Sequence, residues 1–166
     1  MTVVSPLPVT FDVDGPVQAE VFVVWLNGDR LELSGPCGAA PWYIEVNRGD
    51  DPVQVVARLA AQVLGPPRLV HSTSWRRARD AVILTFAVVV DHVAGMASVP
   101  VDRADLARSS ATAAPREIAY AQVLEHGLRH LAWLARDDPV VSSELSVAWH
   151  TVLAGYVPEP FRGLSE

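Results

Sequence analysis

The acidic residues best placed to do chemistry in this sequence lie just before a predicted helix. Glu45 is in a short apolar run, and Asp50 and Asp51 follow directly after Gly49. Carboxylate oxygens are ligands that suit hard divalent cations such as Mg²⁺ or Mn²⁺. Asp51 also fits a simpler role, as the N-cap of a helix that starts at Pro52. Asp50 and Glu45 are the candidate catalytic acids, and Asp50 and Asp51 are the candidate metal ligands.

A second group of candidate residues combines arginine with tryptophan. Arg76, Arg77 and Arg79 lie close together directly after Trp75. Guanidinium groups can hold phosphate oxygens, and a tryptophan ring can stack on a base or a cation. The alternative is that the arginines form a solvated turn with Asp80. Arg76, Arg77 and Trp75 are therefore candidate ligand-binding residues.

A pair of histidines gives a third possible site. His126 and His130 lie four residues apart, which places both imidazoles on one side of a helix and allows them to bind zinc. No third ligand is evident, and the sequence lacks the glutamate that follows the first histidine in zinc proteases. The alternative is a polar or partner-facing helix surface that also carries Trp133.

The composition indicates a single globular domain over residues 1–166. Half of the residues are hydrophobic, the net charge is −6, and all thirteen basic residues are arginine. No basic block dominates, so the charge does not favour nucleic acid as a partner. No apolar run is long enough to cross a membrane, and the first residues do not resemble a signal peptide, so we expect a cytoplasmic protein. Cys37 is the only cysteine and cannot form an internal disulfide.

The elements that must position these residues are predicted from hydrophobic period and turn signals. The first hundred residues give the order β-β-β-α-β-β. The strands are predicted at 19–26, 30–33, 41–46, 68–75 and 81–90, with a helix at about 52–64. Asp51 and Pro52 start that helix, and Gly65 followed by two prolines ends it.

The C-terminal part is predicted to be a two-helix hairpin at about 115–155, after a sheet and helix region at about 18–108. The first helix runs from Pro115 to about Arg136, and the second follows Asp138 and Pro139 and ends near Gly155. One face of the first helix contains Glu117, Ala121, Leu124, Leu128, Leu131 and Ala135. The stripe of the second contains Val141, Leu145, Ala148, Trp149 and Val152.

The segment from Gly49 to Gly65 resembles the second half of a Nudix box, which reads Gly-Glu, seven residues, Arg-Glu-aliphatic-x-Glu-Glu-x-Gly. Gly49, Asp50, Arg58 and Gly65 match its glycine, first acid, arginine and closing glycine without a gap. The strand that begins at Trp42 also resembles the entry strand of the family. The resemblance implies an α/β (α+β) fold, a Nudix-like α/β/α sandwich with a mixed sheet. It adds Arg58 and Trp42 to the candidate ligand-binding residues.

The same segment departs from the family at its metal-binding core. Where the family has three glutamates after the arginine, this chain has Leu59, Gln62 and Val63. These side chains cannot supply the charged oxygen ligands that divalent cations need. The loop before the helix is also shorter than the glycine-rich loop of the family.

Three functions remain open from the sequence. The first is a Nudix-like module without hydrolase activity that binds a nucleotide, another phosphate-containing small molecule or a protein. The second is a divergent hydrolase of a nucleoside diphosphate derivative, with Mg²⁺ or Mn²⁺ held by Asp50, Glu45 and a distant acid such as Asp91 or Glu117. The third is a homodimeric scaffold that uses the C-terminal helices, with the aromatic side chains Trp133, Trp149 and Tyr156 at the contact.

Overall fold

The computed structural model describes residues 15–106 and 117–157, which contain six strands and four helices. The strands are β1 (Val17–Asn27), β2 (Arg30–Ser34), β3 (Trp42–Val46), β4 (Leu69–Ala78), β5 (Ala81–Val89) and β6 (Ser98–Pro100). The helices are α1 (Pro52–Leu64), α2 (Tyr120–Asp137), α3 (Pro139–Glu144) and α4 (Val147–Leu153). The predicted order β-β-β-α-β-β is therefore observed.

The strands form one mixed sheet around β1. The order is β4-β5-β1-β2-β6, with β3 also paired to β1. β1 is long enough to pair with β3 through residues 17–21 and with β2 through residues 23–27, on the same side. Its pairing with β5 is parallel, and the other pairings are antiparallel.

Helices cover both faces of the sheet, which gives the predicted α/β/α sandwich. α1 packs on one face, where Val56 and Ala60 contact a core that includes Val21 and Phe86. The other face packs against α2, α3 and α4 through a larger core that includes Leu128. Side chains alternate between the two faces of a strand, so β1 contributes its odd-numbered residues to the first core and its even-numbered residues to the second.

Local signals set the bounds of α1. The Asp51 carboxylate accepts hydrogen bonds from the backbone N–H groups of Val53 and Gln54 at 2.9 and 3.4 Å, and Pro52 occupies the first turn. Gly65 ends the helix at φ 85°, a conformation that disfavours residues with a side chain. The cap and the stop predicted from the sequence are both confirmed.

The C-terminal helices differ from the predicted hairpin in two details. The second arm consists of two short helices, because the chain leaves the helical conformation at Leu145 and Ser146. The first arm begins at Tyr120, so Glu117 lies before the helix and is exposed. Residues 107–116, which include the predicted start at Pro115, lie outside the described residues.

The contact between α2 and the sheet can be tested at Leu128, which is 0% exposed in the larger core. Replacing Leu128 with alanine removes buried methyl groups and leaves a cavity, so we expect the free energy of unfolding to fall by about 2–5 kcal/mol. Urea denaturation measures this change. The matched control is Val147→Ala, at a side chain that is 81% exposed, and a similar loss in both variants would contradict the assigned packing.

Candidate functional site

The acids predicted to bind a metal surround the start of α1 but do not form a cluster. Asp51 is occupied as the helix cap, and the Asp50 carboxylate accepts a hydrogen bond of 3.1 Å from the side-chain amide of Asn47. Glu45 is exposed on β3. Within residues 15–106 and 117–157, no three His, Cys, Asp or Glu side chains lie close enough together to hold one ion.

The α1 positions that match the glutamates of the Nudix box carry no charge. Leu59 is half-buried, Gln62 is exposed, and Val63 is 59% exposed near the end of the helix. Arg58, which matches the arginine of the box, is exposed on the same helix. The surface of α1 therefore offers no carboxylate for a cation.

Asp91, one of the more distant acids considered as replacement ligands, lies at the other end of the sheet. Asp91 follows the end of β5 and pairs with Arg68 at 2.8 Å. Asp50 follows the end of β3, and the end of β3 lies beside the start of β1 and the start of β5. Asp91 follows the opposite end of β5, and a strand of nine residues is about 30 Å long. The structure therefore does not bring Asp50 and Asp91 together.

A different acid, Glu20, is the centre of a buried polar network on the face of the sheet that packs against α2. Glu20 in β1 is 0% exposed, and both of its oxygens accept hydrogen bonds from the Arg76 guanidinium of β4, at 2.6 and 2.7 Å. The Thr85 hydroxyl donates to Glu20 at 3.2 Å, and the Tyr43 hydroxyl donates at 2.7 Å. The network therefore crosses four neighbouring strands and neutralises the buried carboxylate.

The edge of this network reaches the protein surface at two tyrosines. The hydroxyl oxygens of Tyr43 and Tyr120 lie 3.4 Å apart, and both residues are exposed. Burial of the phenol, its hydrogen bond with Tyr120 and the nearby Glu20 carboxylate all raise the pKa of Tyr43. Tyr43 therefore stays protonated and remains a hydrogen-bond donor to Glu20.

Two of the arginines predicted to bind phosphate, Arg76 and Arg77, do not converge. Arg76 and Arg77 are neighbours on β4, so their side chains leave opposite faces of the sheet. Arg76 is held by Glu20, whereas Arg77 and Trp75 share the face on which α1 packs. Trp42 is half-buried in the core under α1, and its indole N–H donates to the Ser34 carbonyl at 3.3 Å.

A second buried acid joins the C-terminal helices to the segment after β6. Glu125 in α2 is 2% exposed and accepts hydrogen bonds from Arg103, Arg129 and the backbone N–H of Ala104. Burial alone would raise the pKa of Glu125, but the hydrogen bonds from the two arginines and from the backbone lower it below its usual value. Arg103 also lies over the Tyr156 ring, 4.2 Å from its centre.

His130 of the predicted histidine pair also contacts a histidine of the sheet. Nε2 of His71 in β4 lies 3.4 Å from Nδ1 of His130, and the His130 ring stacks on Trp133. Burial lowers the pKa of His71 and His130, and for His71 the charge that His130 would carry lowers it further. His126 lies one turn before His130 and is exposed.

Two of the three aromatic residues predicted at a dimer contact lie inside the chain. Trp149 and Tyr156 are each 5% exposed and belong to the larger core. The prediction is therefore wrong for these two residues, because Trp149 of α4 and Tyr156 just after it pack into the core between the helices and the sheet. Trp133 remains 42% exposed.

Comparison with known proteins adds one finding to this geometry. No model of a protein family matches the sequence, and no curated protein is similar enough in sequence to be matched. A crystal structure of a MutT/nudix family protein from Enterococcus faecalis matches the chain with a TM-score of 0.55, over 91% of this chain and 78% of the other, at 11% identity. The fold is Nudix-like. At this identity the likeness concerns the fold alone.

Within the described residues, no helix of this Nudix-like chain has both the length and the apolar composition needed to cross a bilayer.

Sequence reasoning missed Glu20 and Glu125, although each carries a readable signal. Glu20 is a single charge within the apolar run 19–26, and Glu125 directly follows Leu124 of the apolar face of α2. A charge at such a position needs a buried partner. The sequence does not show which arginine supplies it, because Arg76 is 56 residues from Glu20.

The Glu20 network gives a stability prediction. Replacing Arg76 with alanine leaves the buried Glu20 carboxylate without its counter-charge, so we expect the free energy of unfolding to fall by about 3–5 kcal/mol. Urea denaturation at neutral pH measures the loss. Arg77→Ala, the neighbouring change on the opposite face, is the matched control. Adding Glu20→Leu to Arg76→Ala should recover part of the loss, and no recovery would contradict the charge argument.

The histidine contact gives a pH prediction. Histidines of the unfolded chain titrate near pH ~6.5, and the folded-state pKa values of His71 and His130 lie lower, so the unfolded chain binds more protons in this range. We expect the free energy of unfolding to fall as the pH is lowered from about 7 to about 5. Denaturation at several pH values measures the slope. His71→Gln should flatten it and His92→Gln, at an exposed residue, should not; equal slopes in all three proteins would contradict the assignment.

Proposed function

We propose that this chain is a Nudix-like domain that acts by binding a partner and does not hydrolyse diphosphates. The observation that carries the proposal is the surface of α1, where Leu59, Gln62 and Val63 take the positions of the metal-binding glutamates. Nudix chemistry requires carboxylates that hold divalent cations against the substrate phosphates. Apolar and amide side chains at these positions do not perform that work.

The remaining acids support the same conclusion. Asp51 is fixed as the cap of α1, and Asp50 bonds to Asn47. The buried carboxylates of Glu20 and Glu125 are neutralised by arginines. In the part of the chain that the structure describes, each of these four acids therefore has a structural role.

A protein partner suits the surface better than a nucleotide does. The candidate phosphate-binding arginines Arg58, Arg76 and Arg77 belong to two elements, and Arg76 and Arg77 leave opposite faces of the sheet. A groove of about 350 Å³ lies beside α3 and α4, but charged residues of both signs line it, among them Arg68, Asp91 and Glu144. Arg76 and Arg77 therefore cannot hold one diphosphate together, and the groove lacks the excess of cations that would bind one.

The direct test measures phosphate release from a panel of nucleoside diphosphate derivatives with Mg²⁺ or Mn²⁺. We expect no release above the background without protein, because the ligands for the cation are missing. The variant that carries Leu59→Glu, Gln62→Glu and Val63→Glu should bind Mn²⁺ more tightly than the natural chain in calorimetry.

The outcome that would contradict the proposal is metal-dependent hydrolysis by the natural chain that is lost in Asp50→Asn. That result would support the divergent hydrolase with a rebuilt metal site. Asp29→Asn, at an exposed acid in the turn between β1 and β2, is the matched control for an effect of charge alone.

A further inference from the structure

The outer edge of β4 is the longest unpaired sheet edge in the described residues. Within them β4 pairs only with β5, so alternate backbone N–H and C=O groups of this ten-residue strand point away from the sheet. Among the described residues, β6 and β3 also have an unpaired edge, but they are only three and five residues long. No residue of β4 is fully buried, whereas β5 ends in five consecutive buried residues. We refer to the outer side of residues 69–78 as the β4 edge.

Side chains at the end of β4 give this edge a chemical character. Trp75 pairs with Leu84 and Arg77 pairs with Val82, which places both on the face where α1 packs. α1 does not cover them, because Trp75 is 70% exposed and Arg77 is also exposed. Arg77 makes no ion pair with another residue of the described ranges.

The turn after β4 adds a second positive charge at the same end. Arg79 is exposed and has a φ of 54°, a left-handed conformation that favours glycine or asparagine over arginine. Asp80, which is also exposed, follows Arg79, but the two arginines outnumber this one acid. Within a chain of net charge −6, the end of β4 is therefore a local positive surface beside an exposed indole ring. Such a surface attracts an acidic segment.

We propose that the β4 edge binds an extended acidic segment of a partner protein, which adds to the sheet as a further strand. Backbone hydrogen bonds hold the segment, as in other cases of strand addition. Because strand side chains alternate with a period of two, the same face of the added strand presents an apolar or aromatic residue to Trp75 and an acidic residue to Arg77, two positions apart. This inference rests on the proposed function, since it names the surface and the class of partner.

The opposite face of β4 contributes less to recognition. Arg76 is held by Glu20, and His71 contacts His130 of α2, so these side chains are engaged within the fold. The bulge between Ser72 and Ser74 interrupts the regular pairing near the middle of the strand. Trp75 and Arg77, which follow the bulge, are therefore the residues that select the partner sequence.

The test uses the full chain and a fluorescent peptide with the repeated sequence Thr-Phe-Thr-Glu, in which phenylalanine and glutamate alternate on one face. Fluorescence anisotropy at low salt measures binding. Trp75→Ala should weaken binding by about threefold to tenfold, through loss of an aromatic contact. Arg77→Glu should weaken it by about fivefold to tenfold, because a cross-strand attraction becomes a repulsion.

Matched controls separate the β4 edge from other surfaces. Trp133→Ala and Arg136→Glu change an exposed tryptophan and an exposed arginine of α2, and both should leave peptide binding unchanged. A peptide methylated on alternate backbone nitrogens along its pairing edge should not bind, because it cannot donate to β4. A peptide with lysine in place of glutamate should bind more weakly than the original.

Several results would overturn the proposal. They are the absence of peptide binding, equal binding of the lysine peptide, and binding that Trp75→Ala and Arg77→Glu leave intact. A dimer found by light scattering and lost in Arg77→Glu would also overturn it, since a second copy would then occupy the edge. If the peptide binds with the expected pattern and the chain also hydrolyses diphosphates, the non-catalytic function is wrong and binding at the β4 edge is still supported. Failure of the proposed function can therefore be distinguished from failure of this inference.

Discussion

Burial of β1 on both faces is the constraint from which most of this structure follows. Six consecutive residues of β1, from Ala19 to Val24, are buried, so no position in this stretch is open to solvent. Its odd-numbered side chains need α1 above them, and its even-numbered side chains need α2 and the helices after it. Glu20 lies on the α2 side, and its charge is compatible with this burial only because Arg76 reaches it from β4. The pairing thus ties β4 to the centre of the sheet across β5.

The sequence predicts the elements whose signals are local. Asp51, Pro52 and Gly65 are a cap, a first-turn proline and a C-terminal glycine, and the observed bounds of α1 agree with the predicted ones. The hairpin of β1 and β2 and the apolar strand β5 are likewise specified by residues within the element. β6 was not predicted, because its three residues become a strand only by pairing with β2.

The site was less predictable because its contacts are distant in sequence. The spacing of Arg76 and Arg77 indicated one cationic cluster, but a strand directs neighbouring side chains to opposite faces. The sequence places Trp149 and Tyr156 at a contact surface, yet both are buried in the larger core of the chain itself. The pattern of a helix shows which residues share a face; it does not show whether the chain itself covers that face.

The packing of α1 on the sheet does not use the positions at which the Nudix box has glutamates. α1 contacts the core beneath it through Val56 and Ala60, whereas the resemblance places the glutamates of the family at residues 59, 62 and 63. Leu59, Gln62 and Val63 at those positions leave this contact in place and add no cluster of negative charges that would repel one another. The packing of α1 therefore rests on apolar contacts, and it leaves other surfaces of the sheet accessible. The β4 edge is such a surface, because Glu20 and Arg76 fix the strand while its outer backbone groups and Trp75 stay accessible.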